Sequence, residues 1–229
     1  MTQQMTPFLN PTFIISILIA LSVHEWAHGF VAHLLGDPTA KNAGRLTLNP
    51  IAHLDLLGTI LFLTIGFWWG KPVPIDPRYF RHHKRDTALV AIAGPVSNLL
   101  LATVAFIGLS VVGARIGGDV FDLLSMGRGD ASVGLVFFAQ LFASLLFINL
   151  GLMAFNLIPI APLDGSRVLE SFIPLRYEDR YQEIMRKGPM ILLILLLAER
   201  FLNVPFLQIW IGGIMNFVLS VMESVAGVF

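Results

Sequence analysis

The sequence predicts an all-α polytopic membrane protein with about five to six transmembrane helices and a small re-entrant β-hairpin region between the first and second core helices. Of the 229 residues, 55% are hydrophobic and only 13% are charged, whereas a soluble domain carries about 25% charged residues. The segments 87–114 and 131–163 contain no charged residue, and each is longer than the roughly 20 residues that cross a bilayer. The formal net charge is zero, which gives no electrostatic case for a nucleic-acid partner.

The first core span is predicted at residues 11–35. Asn10, Pro11 and Thr12 form a typical helix entry, because asparagine caps helices and proline fits the first helical position. The run is apolar, apart from one polar motif, until Gly36-Asp37-Pro38 ends it. No Lys or Arg precedes the run, so we expect no cleaved signal peptide.

The re-entrant region is predicted at residues 44–75. Residues 44–50 alternate in part between apolar and polar types, which favours a short strand or an extended hairpin. Residues 56–69 are apolar but too few for a full span, so we interpret them as a re-entrant segment. The prolines within 71–75 favour extended backbone.

The other core spans are predicted at 87–114 and 131–163, and a C-terminal helical hairpin at 189–227. We expect one membrane-embedded domain over residues 1–229, since we detect no internal repeat or low-complexity linker. Because basic residues favour the cytoplasmic side, the loops 70–86 and 165–187 are predicted to be cytoplasmic and residues 115–130 external.

The sequence His24-Glu25-Trp26-Ala27-His28 lies within the first span. Residues four apart share one face of a helix, so both imidazoles can bind one metal ion. Glu25 is rotated by about 100° from His24 and can reach a water molecule on that metal. Ionisable groups at membrane depth are costly, so this pattern predicts a zinc hydrolase site rather than buried structural histidines.

A catalytic zinc needs a third protein ligand, and Asp164 is the best candidate because it follows an apolar span and lies between Pro162 and Gly165. A helix N-cap is an equally good interpretation of Asp164 from the sequence alone, since aspartate caps helices well. Four further residues compete for the ligand role: His53, Asp55, His33 and Glu170.

Three segments together resemble the site-2 protease family, the M50-type intramembrane zinc metallopeptidases: residues 24–28, residues 93–98 (Ala-Gly-Pro-Val-Ser-Asn) and residues 156–165. Residues 44–50 and 71–74 are similar to the short bacterial members. The resemblance extends over about residues 20–170 in the family's order. Loop 115–130 is too short for the PDZ domain that other members carry.

The resemblance implies residue roles and a location. His24, His28 and Asp164 would hold Zn²⁺, with Glu25 as the general base. Asn156 would contact substrate or the oxyanion, and so would belong to both the catalytic and the substrate-binding residues. Asn98 would support substrate binding. The implied location is a bacterial inner (plasma) membrane, as a multi-pass protein.

The function predicted from these features is hydrolysis of peptide bonds in or near transmembrane helices of substrate proteins, within the lipid bilayer. The partners are therefore a transmembrane protein substrate and lipid, and no nucleic acid. Two alternatives use the same ligands without chemistry: a metal-binding membrane transporter, and an inactive protease-like protein that sequesters membrane helices. Neither alternative needs Glu25.

Overall fold

The computed structural model describes residues 10–55, 70–116, 132–202 and 204–227. Its helices are α1 (Pro11–Leu34), α2 (Thr39–Asn42), α3 (Pro50–His53), α4 (His83–Ile116), α5 (Val133–Asn156), α6 (Asp164–Phe172), α7 (Glu178–Arg186), α8 (Gly188–Leu202) and α9 (Phe206–Ala226). Two 3₁₀ turns lie at Pro77–Tyr79 and Leu175–Tyr177. Within the described residues, α1, α4, α5 and α9 are long and apolar enough to cross a membrane. The chain is thus a helical integral membrane protein, as predicted.

The ends of the core helices follow their sequence signals. The Asn10 side chain accepts a hydrogen bond from the Thr12 amide at 3.0 Å, and Pro11 takes the first position of α1. Ser132 caps α5 in the same way. Helix α5 stops at Asn156, earlier than the predicted end at residue 163, because a turn containing two prolines follows it.

Helices α1, α4 and α5 form the core of the protein and pack on one another. Small buried side chains line the contact between α4 and α5: Ala102, Ala105, Ala139 and Ala143 are each 8% exposed or less. Such residues let two helix backbones approach closely, which is how helices associate in membranes where lipid is as apolar as the side chains.

Helix α4 runs antiparallel to α1, since Asn98 lies beside Ala20 while Val90 lies beside His28 further along α1. Helix α6 packs against α4, and Val168 and Phe172 of α6 border one groove with Lys84 and Ala88 in the first turns of α4. The end of α1, the start of α4 and the end of α5 therefore meet at one end of the bundle.

The predicted β-hairpin at 44–50 is not supported, because neither residues 44–55 nor residues 70–76 contain a strand. The Thr47 carbonyl instead accepts a hydrogen bond from His53 Nε2 at 2.7 Å. Asn49 caps α3 through the Ile51 amide. The Asn-Pro pair that starts α3 is the same signal that starts α1, and it outweighs the partial alternation before it. The predicted re-entrant segment 56–69 lies outside the described residues.

The C-terminal part contains two helices, but only one of them is a candidate span. Helix α8 has 15 residues. At 1.5 Å per residue its length is about 22 Å, which is shorter than the hydrocarbon core of a bilayer at about 30 Å. Glu199 and Arg200 lie at its end and shorten its apolar length. Helix α9 has 21 residues and packs on α5, where Trp210 donates to the Ala154 carbonyl at 3.0 Å. The described residues thus hold four candidate spans rather than five to six.

Candidate metal centre

The two histidines of the motif lie one turn apart in α1, on the face that packs against α4. His24 and His28 are 4% and 7% exposed, and their Nε2 atoms lie 3.1 Å apart. Both rings are buried within a predicted membrane span. Their inward-facing nitrogens can bind one metal ion together.

The hydrogen bonds of the outward-facing nitrogens fix where each ring carries its proton. His28 Nδ1 lies 2.7 Å from the Val90 carbonyl, and a carbonyl only accepts, so His28 Nδ1 is the donor. His24 Nδ1 donates to Asn98 Oδ1 at 2.6 Å. A neutral imidazole has one N–H, so both Nε2 atoms are left with a lone pair that can bind a metal.

Asp164 completes a group of three atoms that could bind one metal ion. It is the first residue of α6, and its Oδ2 lies 3.2 Å from His24 Nε2 and 3.3 Å from His28 Nε2. Zinc holds nitrogen and oxygen ligands at roughly 2.0–2.2 Å in a tetrahedron, which places them about 3.3–3.6 Å from one another. The three distances observed here are close to that spacing.

The helix-cap interpretation of Asp164 is not favoured by its placement. Leu163 takes the N-cap position of α6, and no side chain caps the helix there. Asp164 Oδ2 is buried and accepts no hydrogen bond from the described residues. With both rings neutral, three acceptor atoms face one another, and a cation is the group that such a set fits.

None of the other candidates joins this group. Within the residues described by the structure, His24, His28 and Asp164 are the metal-capable cluster. His53 donates its Nε2 proton to the Thr47 carbonyl, and Glu170 accepts a hydrogen bond from the Gln182 side chain. The remaining competitors, His33 and Asp55, lie outside the cluster.

The three ligand atoms border a cavity of about 320 Å³. Glu25 and Asn156 also line it, so the structure brings both predicted catalytic side chains to the same space as the metal group. Asn156 donates one amide proton to the Leu152 carbonyl at 3.0 Å. An asparagine amide has two N–H groups, so a second donor remains for a substrate.

One wall of the cavity is extended backbone rather than helix. The Val73 amide donates to Glu25 Oε2 at 2.9 Å, and the Asp76 amide donates to the buried carboxylate of Asp37 at 2.8 Å. Arg45 bonds the Lys71 carbonyl at 2.8 Å. Asp76 itself caps the following 3₁₀ turn, where the hydrogen bond from Arg78 lowers the pKa of the Asp76 carboxyl. These contacts tie residues 71–76 to Glu25 of α1 and to the segment that follows α1.

Asn98 does not line the cavity. It lies behind the His24 ring, it is 0% exposed, and its Nδ2 donates to the Ala20 carbonyl and to Asn149 Oδ1 at 3.3 and 2.8 Å. Asn98 was predicted to support substrate binding; its burial leaves it no surface for a substrate, and its bond to His24 favours a role in orienting that ring. Sequence reasoning missed Asn149, one of three amide side chains in the uncharged span 131–163, although polar side chains at membrane depth are often functional.

Comparison with known proteins gives one consistent result. The family model described as Peptidase family M50 matches residues 12–196. The chain is 40% identical over 187 residues to YwhC of Bacillus subtilis (strain 168), named "Putative zinc metalloprotease", and the match covers 82% of this chain and 80% of that relative.

Two mycobacterial proteins carry the same description under the name Rip2. Identity is 28% to the Mycolicibacterium smegmatis protein and 29% to that of Mycobacterium tuberculosis (strain H37Rv), over 79% and 86% of this chain. The matches span 64% and 68% of those two relatives. No solved structure gives a significant match.

Proposed function

The chain belongs to peptidase family M50, and we propose that it hydrolyses peptide bonds of transmembrane protein substrates at the cavity beside α1. It is an intramembrane zinc metalloprotease. The observation that carries the proposed site is the convergence of His24, His28 and Asp164 within a bundle of candidate membrane spans.

His24, His28 and Asp164 hold the zinc ion in this proposal. When bound, zinc supplies Lewis-acid chemistry, polarising the scissile carbonyl and lowering the pKa of water to about 7. With both histidines neutral, the carboxylates of Asp164 and Glu25 carry two negative charges that balance the ion. That balance reduces the cost of placing a dication at membrane depth.

Glu25 is the general base. It takes a proton from the attacking water as the water oxygen bonds to the scissile carbon, and it delivers that proton to the amide nitrogen as the C–N bond breaks. The Val73 amide holds Oε2 at 2.9 Å, which leaves Oε1 to receive the proton. The same bond fixes the carboxylate direction before substrate arrives.

Asn156 stabilises the oxyanion that forms on the scissile carbonyl. It lines the cavity and keeps one amide proton beyond its bond to Leu152. A donor fixed before the reaction lowers the barrier, because no solvent has to reorganise as charge develops.

The substrate reaches this site as an unwound segment of a transmembrane helix. A cavity of about 320 Å³ lies at the small end of the range for ligand pockets, and a helix about 10–12 Å across does not fit it. Non-helical backbone at membrane depth is tolerated where it lines a cavity. An extended substrate can therefore lie beside residues 71–75. Nucleic acid has no role here, because the chain offers no net positive charge.

The presence of Glu25 beside the proposed zinc ligands favours a protease over the two alternatives. A transporter or a sequestering protein needs the ligands but gains nothing from a further carboxylate beside them, which is costly at membrane depth. In the structure Glu25 lines the metal cavity and is oriented by a backbone amide. Neither alternative is favoured by any contact of the site.

The test compares two isosteric variants. In detergent, Glu25→Gln keeps stoichiometric zinc but loses about 10²–10⁴-fold in cleavage of a transmembrane peptide, since it removes the proton acceptor and no ligand. Asp164→Asn loses zinc and cleavage together, because it replaces a charged ligand by a weak neutral one. Zinc is measured by elemental mass spectrometry. Parent-like cleavage by Glu25→Gln would exclude Glu25 as the base, and parent-like zinc in Asp164→Asn would exclude Asp164 as a ligand.

We place the protein in the bacterial inner membrane with loops 70–86 and 165–187 in the cytoplasm, following the bias of Lys and Arg. The chain has no cysteine, so single cysteines report orientation directly. Arg81→Cys should react with a membrane-impermeant maleimide only in inverted vesicles. Val133→Cys, at the other end of the bundle and 66% exposed, should react only in intact spheroplasts. The reverse pattern would overturn the orientation.

A further inference from the structure

Asn149 is a fully buried amide in the middle of α5 that the mechanism above does not use. It is 0% exposed. Its Oδ1 accepts from Asn98 Nδ2 at 2.8 Å, and its Nδ2 donates to the Leu145 carbonyl at 2.8 Å. Asn98 in turn accepts the proton of His24 Nδ1 at 2.6 Å. One continuous chain of hydrogen bonds therefore joins the backbone of α5 to a ligand ring on α1.

The direction of every bond in this chain is set by backbone carbonyls. Leu145 offers only an acceptor, so Asn149 must point its NH₂ group at it and its Oδ1 at Asn98. If Asn98 turned its amide over, its oxygen would face the oxygens of Asn149 and Ala20. The only arrangement without facing acceptors leaves Asn98 Oδ1 towards His24 and the proton on His24 Nδ1.

We propose that Asn149 is a positioning residue of the metal centre: it fixes the orientation of the Asn98 amide, and through that amide it keeps His24 in the tautomer whose Nε2 binds zinc. His28 achieves the same with one backbone carbonyl, that of Val90. His24 has a side-chain amide as its partner, and a side-chain amide can rotate. A second amide is what removes that freedom.

The inference rests on the proposed zinc site, and its test reads zinc affinity rather than cleavage. Changes to the hydrogen-bond partners of ligating histidines cost about 10–100-fold in metal affinity. We expect Asn98→Leu to lower the zinc affinity by a factor in that range. We expect Asn149→Leu to lower it about tenfold. Affinity is measured by competition with a chromogenic chelator in detergent micelles. If Asn149→Leu does not fold, Asn149→Ala removes the same oxygen and carries the same expectation.

A double-mutant cycle separates action through Asn98 from a general structural effect. If Asn149 acts through Asn98, the variant Asn98→Leu/Asn149→Leu binds zinc no more weakly than Asn98→Leu alone. If the two losses multiply, Asn149 acts by another route and the inference fails. Parent-like affinity in Asn149→Leu overturns it as well.

The matched control is Leu150→Ala, one residue further along α5. Leu150 is also 0% exposed but packs in the apolar contact between α4 and α5. This variant should unfold at a lower temperature while its folded form keeps the zinc affinity of the parent. An equal loss of zinc in Leu150→Ala would assign the effect of Asn149 to packing. If His24→Ala bound zinc as tightly as the parent, the zinc site itself would fail, and that result is distinct from all of these.

Discussion

The cavity has two walls built on different principles. The helical wall consists of α1, α4 and the start of α6, and it carries the three atoms proposed to bind zinc. The extended wall consists of residues 71–76, and it faces the helical wall with backbone groups. The helical wall holds its side chains with hydrogen bonds of 2.6 and 2.7 Å to buried partners. The extended wall is held by three side chains that bond its amides and a carbonyl.

The difference shows how one site meets two demands. Metal ligands must be placed to within a few tenths of an ångström, and helices with locked side chains do this. An unwound substrate needs extended chain to lie beside, and a helix does not offer it because helical backbone groups bond one another. Pro72 and Pro74 prevent the extended wall from forming a helix. We therefore expect changes in the helical wall to affect metal and chemistry, and changes in the extended wall to affect substrate binding.

The largest effect is expected from Gly94→Ala in the helical wall. A Cβ atom at this position would lie 2.5 Å from His28 Nε2 and 2.6 Å from His24 Cε1. Both rings are held by their Nδ1 bonds and cannot withdraw, so the methyl group displaces a ligand. We expect more than about a 100-fold loss of zinc affinity, beyond the range for partners of ligands, and background cleavage. Chelator competition measures the zinc affinity. Full zinc retention by Gly94→Ala would contradict the close fit of α4 to the two imidazole rings.

A smaller effect is expected from Asn156→Ala, at the end of α5. It removes a donor and no ligand, so zinc content should stay at the parent level while kcat falls roughly 10²–10³-fold. Steady-state cleavage of a transmembrane peptide separates kcat from KM. A rise in KM with unchanged kcat would instead assign Asn156 to ground-state binding of the substrate.

The smallest effect is expected from Gly29→Ala, which tests the extended wall. A Cβ atom here would meet Val73 Cγ1 at 3.1 Å and Ala40 Cβ at 3.3 Å, so the extended wall must shift by a few tenths of an ångström. We expect parent-like zinc and a rise in KM of up to about tenfold, which corresponds to about 1.4 kcal/mol and lies at the low end of overpacking costs. Loss of zinc in this variant would mean that the two walls are not separable.

The parts of the site that follow from the sequence are those within one helix. His24, Glu25 and His28 lie in five consecutive residues, and helical periodicity alone places the two rings on one face and the carboxylate beside them. The Asn-Pro pairs at 10–11 and 49–50 likewise start helices, though at the second pair we predicted a strand. That prediction failed because alternation over a few residues is a weaker signal than a capped proline turn.

The tertiary structure decided everything that joins distant segments. It favoured a ligand over a cap at Asp164, because packing of α6 on α4 carries its carboxylate to the two rings. It placed Asn98, predicted to support substrate binding, behind His24, and it placed Asn149, 51 residues further along the chain, beside Asn98. Hydrogen bonds within a helix join residues four apart, so their geometry can be read from local sequence. Which faces of α1, α4 and α5 meet depends on the fit of their buried side chains, and that fit exists only once the helices are packed together.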